Sequence, residues 1–327
     1  MAPTIAELQW QALTAAANEI KTPNRFLREL LFRDTENLSV EAIEFDQIFG
    51  DRKAAPFVKK NGKSIMVGGY TEKYRAVEAP NIKINRPMEA SAAFFKRAPG
   101  TSVFPSTQAQ QEEIQKRVAR DTQRLGEMID NTIEWMIAQA LQGKITYSVD
   151  EQEAMEITFP KSGSHTVTLG TFWDQANSHP IDDFMTAKQL LSDDVGLPTT
   201  HCIMSDSAAR AFLKHPEVAA VLDNRRMTYG SVELNRQFLE NGAISIGTFE
   251  GVDLWLYGRK VDITGSPELL IRDKYVEFVS AVPGADMKLY FAAIADWDAL
   301  ESGLLVSERY SKSWTEKDPS VLTQLMQ

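Results

Sequence analysis

The side chains able to do chemistry are few and scattered along the chain. His165, His179, His201 and His215 stand in no metal-ligand spacing, and no HExxH pair occurs. His201 and Cys202 are adjacent and would offer two ligands, but a lone pair without companions fits an ordinary strand. Cys202 in TTHCIMS reads as a small hydrophobe. There is no GxSxG elbow, and Ser205 in IMSDSA reads as a helix N-cap. Neither Gly68-Gly69 nor Ser162-Gly163-Ser164 fits the GxxxxGK[ST] or GxGxxG phosphate loops, so no nucleotide cofactor is expected. Asp182-Asp183, Asp193-Asp194 and the pair Asp296/Asp298 have no identifiable partner base, and their expected work is capping or solvation. No catalytic, cofactor-binding or metal residue is assigned, and no enzyme is expected.

The bulk numbers agree. Lys plus Arg number 35 against 45 Asp plus Glu, a formal charge of −10. That balance disfavours a dedicated duplex binder, which neutralises phosphates with basic side chains. It leaves room for a protein that merely encloses nucleic acid. The 327 residues, 43% hydrophobic and 24% charged, suit one large soluble domain or two ordinary ones. No run of eighteen apolar residues occurs, and MAPTIAELQW lacks the pattern of a secretory signal. A single cysteine fits folding in a reducing cytoplasm.

The elements that would carry these residues are uneven. Residues 4–19 read as a helix with Thr4 and Glu7 as a capping box. A second helix runs to Phe32, capped by Asn24, and then NLSVEAIEFDQIFG becomes strand-like while densely charged. Neither helix has a wide apolar face, so both need a partner surface. Residues 55–86 read as extended, with Asn61-Gly62 as a hairpin turn and Gly68-Gly69 as a second bend. This stretch has too many lysines for a core sheet. It is either a solvated hairpin or a projecting arm that packs on another subunit. Residues 107–142 form the clearest element, a long helix ended by Gly143. Its first half carries only Ile114 and Val118 as large apolar residues, whereas Leu125, Met128, Ile129, Ile133, Trp135, Met136, Ile137 and Leu141 crowd the second. Lys116, Arg117, Arg120 and Arg124 alternate with acids and read as a solvated or ion-paired face. A strand meander follows from ITYSVDEQ to SHTVTL, with a turn at 161–164. Helix IDDFMTAKQLLSDD, strand THCIMS, helix SDSAARAFLKHPEVAAVLD and strands AISIGTFEG and VDLWLYGRK then suggest an α/β module.

FLRELLFRDTENLSVEAIEFDQIFG with its Phe32-Arg33-Asp34 triplet, APFVKKNGKSIMVGGYTEKYRAVEAPNIKI, and the closing ERYSKSWTEKDPSVLTQLMQ stand in order over residues 24–327. Together they resemble the lambda-like (E-type) major capsid family of tailed bacteriophages. The resemblance implies an α+β fold of the Hong Kong 97 type with an N-terminal arm, an extended hairpin loop, a long spine helix and an α/β axial domain. Its implied divisions are an arm at 1–38, the loop and its base at 39–100, a peripheral domain at 101–180 with spine helix 107–142, an axial domain at 181–290 and returning strands at 291–327.

The function implied is a head protein that self-assembles as hexamers and pentamers into an icosahedral shell around a double-stranded DNA genome. The contact candidates are Phe26, Leu30, Phe32, Arg33, Phe57, Asn61, Gly62, Ile65, Tyr70 and Tyr74. The implied partners are further copies of the chain, a separate scaffold protein, a portal and, in some shells, a decoration protein. DNA is enclosed without sequence-specific binding, and no membrane is involved. The place is the virion, after assembly in the bacterial host cytoplasm. Lys59, Lys60 and Lys63 lie in the loop without a matching asparagine context, so no intersubunit crosslink is expected. The alternatives are a related nanocompartment enclosing cargo and a cytosolic α/β enzyme with its site in the 181–290 module.

Overall fold

The computed structural model describes residues 25–40, 42–49, 71–89, 107–149, 153–159, 161–221, 237–238, 242–263, 265–282, 287–294, 296–302, 307–317 and 320–326. The first elements among the described residues are α1 (Phe26–Leu31), β1 (Asp34–Asn37), β2 (Ala42–Phe49), β3 (Thr71–Glu78) and β4 (Ile84–Glu89). The long helix α2 (Thr107–Leu141) comes next, then β5 (Lys144–Val149) and β6 (Glu153–Thr158). After these come α3 (Pro180–Val195), β7 (His201–Met204), α4 (Asp206–Lys214), β8 (Gln237–Phe238), β9 (Ile244–Phe249) and β10 (Val252–Leu256). Short strands β11 (Lys260–Asp262), β12 (Pro267–Leu269), β13 (Val276–Val279) and β14 (Lys288–Phe291) lead to α5 (Trp297–Ser302), β15 (Ser311–Lys317) and β16 (Ser320–Met326). The residues fall into two units: Met1–Glu36, Ile82–Leu289 and Arg309–Gln327 in one, Asn37–Asn81 and Tyr290–Glu308 in the other.

The first unit is organised by α2, whose 35 residues span about 52 Å at 1.5 Å per residue. No proline interrupts it. It ends as the glycine at 143 suggests: Gly143 takes φ +99°, and its N–H bonds the Ala140 carbonyl at 2.9 Å. The chain then doubles back as the β5–β6 hairpin, with Lys144 opposite Thr158 and Val149 opposite Glu153. Strand β16 lies between β15 and β4, and Pro87 falls on β4, an edge strand of this sheet among the described residues, the position where proline is tolerated.

A five-stranded mixed sheet, ordered β13-β7-β10-β9-β8, lies in the same unit and packs with helices α3 and α4. Strand β10 runs parallel to β7 and antiparallel to β9, turning at Glu250-Gly251, where both residues have positive φ. One sheet face carries Cys202, Met204, Val252 and Leu254, closed over by Phe184 of α3 and Phe212 of α4. Phe184 meets Phe249 and Phe278 edge-on, with ring centroids 5.3 and 5.0 Å away. Ser205 caps α4 as expected, accepting the Ala208 N–H at 3.4 Å. The helix expected to run unbroken through the KHPEVAA stretch breaks after Lys214, and helical structure resumes at 216–221. His215 precedes Pro216 and is pushed to extended backbone, ψ 131°, because the proline ring excludes the helical conformation there.

In the second unit β2 and β3 form an antiparallel ladder from Ala42 opposite Glu78 to Phe49 opposite Thr71. Leu38 N–H bonds the Phe291 carbonyl at 2.8 Å, and Ala293 N–H the Val40 carbonyl at 3.3 Å. The Asn61-Gly62 turn, the loop lysines and the helix expected at 4–19 lie outside the described residues.

Gly242 stands at φ +85°, and a Cβ there would come within 2.4 Å of Arg259 Nε. Gly242→Ala is expected to lower unfolding free energy by about 1–3 kcal/mol through strain and displacement of Arg259. Urea denaturation would measure this, and an unchanged midpoint would contradict it.

Candidate functional site

Residues four apart on a helix share a face. On α2 this places Val118, Thr122, Gly126, Asp130, Glu134 and Ala138 in one row, and all six are buried. Beside it runs an apolar row, Leu125, Ile129, Ile133 and Ile137. The apolar row is ordinary core. The polar row takes two carboxylates out of water, which demands partners for each.

The partners come from both ends of the chain. Thr122 hydroxyl donates to the Val118 carbonyl at 2.9 Å and accepts from the Gln324 amide of β16. At Gly126 a Cβ would stand 3.2 Å from Arg309 Nη1 and 4.0 Å from Met326 sulfur, so the bare backbone lets the C-terminal segment close on the helix. Asp130 Oδ2 accepts from Arg25 Nε at 3.1 Å and Nη2 at 3.0 Å, and Oδ1 accepts from Arg309. One carboxylate thus carries two guanidiniums, one from each terminal segment. Burial pulls Arg309 below its ordinary value, and Asp130 opposes that.

One turn further on, Glu134 is only 1% exposed. Its Oε1 accepts the Leu27 N–H at 2.6 Å and the Tyr257 hydroxyl at 2.9 Å, and Oε2 accepts the Arg28 N–H at 3.3 Å. Arg25 stands at the N-cap of α1 without any side-chain bond to the α1 amides, and the expected cap, Asn24, lies outside the described residues. A carboxylate from a different helix therefore does the capping. Burial raises Glu134 from 4.5 to about 7, against the lowering by its three hydrogen bonds. Burial and the Glu134 carboxylate likewise push the Tyr257 phenol up.

Helix α1 also covers the second face of the five-stranded sheet. Phe26 lies 5.2 Å from Trp255 and 5.0 Å from Tyr257 between ring centroids. Trp255 Nε1 donates to His201 Nδ1 at 3.2 Å, and burial lowers His201, with Asp253 opposing and Arg33 assisting. A neutral imidazole suits an acceptor role. Cys202, behind it on β7, is fully enclosed, and burial pushes its thiol well up.

The contact candidates are distributed unevenly. Phe26 is enclosed within its own chain and so is withdrawn from any surface of the subunit, since Trp255 and Tyr257 supply the apolar partner that a neighbour was expected to supply. Leu30 and Phe32 are half-buried and Arg33 is exposed. Tyr74 lies on β3, while Phe57, Asn61, Gly62, Ile65 and Tyr70 lie outside the described residues. The histidines stay apart: His165 bonds Asp194 at 2.8 Å and His215 lies 3.2 Å from the Ser178 hydroxyl. Asp296 accepts the Asp298 N–H at 3.0 Å, the capping expected of such acids, whereas Asp183 accepts the Trp173 indole N–H at 2.9 Å and so serves a tertiary contact instead. Among the described residues no three His, Cys, Asp or Glu side chains are placed to hold a metal, and no helix is long and apolar enough to cross a membrane.

Nothing in this row is set up to act on a substrate. It ties an N-terminal helix, a long helix, a sheet and a C-terminal strand into one body, which is the work of a structural subunit. Residues 9–327 match the family described as Phage major capsid protein E, and the chain belongs to that family. It is 27% identical over 328 residues to the major capsid protein of Enterobacteria phage P21, covering 95% of this chain and 90% of the relative. With the major capsid protein of Escherichia phage lambda it shares 24% over 322 residues, again 95% and 90% of the two chains. The crystal structure of a prophage capsid protein from E. coli CFT073 superposes with a TM-score of 0.70 at 16% identity, over 98% of this chain and 93% of that one. The protein is a tailed-phage major capsid protein, a building block of a multimeric virion shell and structural rather than catalytic.

Asp130→Ala leaves the buried Arg309 guanidinium and the half-buried Arg25 guanidinium without their carboxylate and is expected to cost about 3–5 kcal/mol of unfolding free energy. Replacing Arg25, Asp130 and Arg309 together by Met, Leu and Met is expected to cost less than that single change. Denaturant unfolding of the two variants decides it, and a triple variant less stable than Asp130→Ala contradicts it.

Proposed function

We propose that copies of this chain assemble as hexamers and pentamers into an icosahedral shell of the Hong Kong 97 type, enclosing a double-stranded DNA genome. The match to the capsid family over residues 9–327 carries this reading. The 35-residue helix, the β2–β3 ladder leading toward the loop and the α/β module built on the five-stranded sheet support it. In this assignment α2 is the spine of a peripheral domain, residues 181–290 an axial domain, 39–100 the extended loop with its base, and 291–327 the returning strands.

Contacts between copies fall to the segments at 1–38 and 39–100. Leu30, Phe32 and Arg33 are the contact candidates that α1 and its flank leave accessible, joined by Phe57, Asn61, Gly62, Ile65, Tyr70 and Tyr74 from the loop and its base. Scaffold, portal and decoration proteins are the further partners of such a shell, and the bacterial cytoplasm is where it is built. The formal charge of −10 suits a container that does not grip its DNA.

Negative-stain microscopy and light scattering of the expressed protein under assembly conditions are expected to show megadalton particles with nuclease-protected DNA when they come from an infected lysate. A persistent monomer sinks the assembly reading, and intact particles holding protein cargo without nucleic acid point instead to a nanocompartment. Removal of residues 1–24, which keeps Arg25 on Asp130, is expected to leave the subunit folded and its shells unstable. Particles of normal stability from that truncation overturn the role given to the arm.

A further inference from the structure

The two acids of the polar row meet different company. Asp130 faces the guanidiniums of Arg25 and Arg309. Glu134 faces three neutral donors, the amides of Leu27 and Arg28 and the hydroxyl of Tyr257. Amides only donate, but a phenol hydroxyl both donates and accepts. Glu134 therefore fits its site in two forms. As a carboxylate it accepts all three bonds. As a carboxylic acid it still accepts from the two amides and donates its own proton to the Tyr257 oxygen, whose own hydrogen then turns away from the acid. In the first form a full charge sits in a nearly waterless site with no cation among these donors, and in the second it does not.

We propose that Glu134 is a proton-linked latch for α1: with its proton it clamps Phe26–Leu31 onto the long helix, and without it the clamp loosens. The segment is suited to a latch. It has six residues, too few to persist as a helix alone, and its free amides end on Glu134. The charged surroundings come from every element packed there. On the α1 side Glu29 adds a negative charge that raises Glu134, and Arg28 acts on Arg309. On the long helix Asp130 takes up Arg25 and Arg309. Beyond β10, Arg259 acts on Tyr257.

The direction of the pH effect follows from linkage. The acid rises from 4.5 to about 7 in the folded chain, so the docked state binds the proton more tightly than the released one. Docking is then strongest below about pH 4.5, weakens by up to about tenfold per unit as pH climbs toward 7, and levels off above it. The latch opens toward alkaline pH.

Hydrogen exchange of peptides covering residues 26–31 reads this on the full chain as a dispersed subunit, so the result is independent of shell geometry. Between pH 5 and 7, after correction for intrinsic exchange, protection is expected to fall by about fortyfold in the unaltered chain and to stay flat in Glu134→Gln. A second reading needs no change at 134. The carboxyl carbon-13 shift of one glutamate is expected to titrate near pH 7, and its midpoint to move in Tyr257→Phe. Flat protection in the unaltered chain, an unchanged slope in Glu134→Gln, or no glutamate titrating above pH 6 overturns the proposal.

Discussion

Two carboxylates buried one turn apart on a long helix are the constraint around which the larger unit is built. An ion removed from water without compensation costs more than a domain's whole margin of stability, so each must find its partners inside the protein. Asp130 takes a guanidinium from each terminal segment, and Glu134 takes the open amides of α1 together with a phenol from beyond β10. The same contacts place the elements. Arg25 fixes where α1 starts, Tyr257 fixes the sheet against the helix, and Gly126 leaves the gap through which Arg309 arrives. Apolar packing from Leu125, Ile129, Ile133 and Ile137 supplies adhesion, but such rows tolerate sliding by a turn. The polar row does not, since a shift of one turn would bring Asp130 to the amides and leave both arginines unpaired.

Much of this was legible in the sequence. The long helix appears within a residue of where the absence of proline and the glycine at 143 place it. The Ser205 cap and the β9–β10 pair fall where their residues predict, and the three family blocks point to the family that the chain matches. What was not legible is the destination of α1. Its narrow apolar stripe reads as a segment wanting a neighbour, because the row that receives it is polar and hydrophobic periodicity passes over polar rows. A signal was present: Thr122, Gly126, Asp130 and Glu134 recur at intervals of four through the half of the helix crowded with Leu, Ile and Trp. Acids in that setting are either exposed or bound to partners, and only the long-range fold says which. The partners themselves, Arg25 and Arg309, are 105 and 179 residues away from Asp130 in sequence. No local pattern carries such a pairing.

The resemblance blocks also gain a physical meaning. Arg309 of the ERYSKSW block and Arg25, just ahead of the FLREL block, stand far apart when read along the chain. In the structure Arg25 and Arg309 hold the same aspartate, so the residue leading into the first block and the last block meet at one site split across the sequence. The aromatic residues of the first block divide as well, with Phe26 committed to the sheet and Phe32 half-exposed beyond the end of α1.

That split has a consequence for synthesis. A ribosome adds residues in order, and Asp130 emerges long before Arg309. During that interval the long helix carries an aspartate with one of its two guanidiniums, and Thr122 and Gly126 lie bare of the strand that will cover them. The unit is closed only when the segment from Arg309 to Met326 swings back across the helix. Chains that stop short of Arg309 therefore lack the second guanidinium on Asp130 and the strand that covers Thr122 and Gly126.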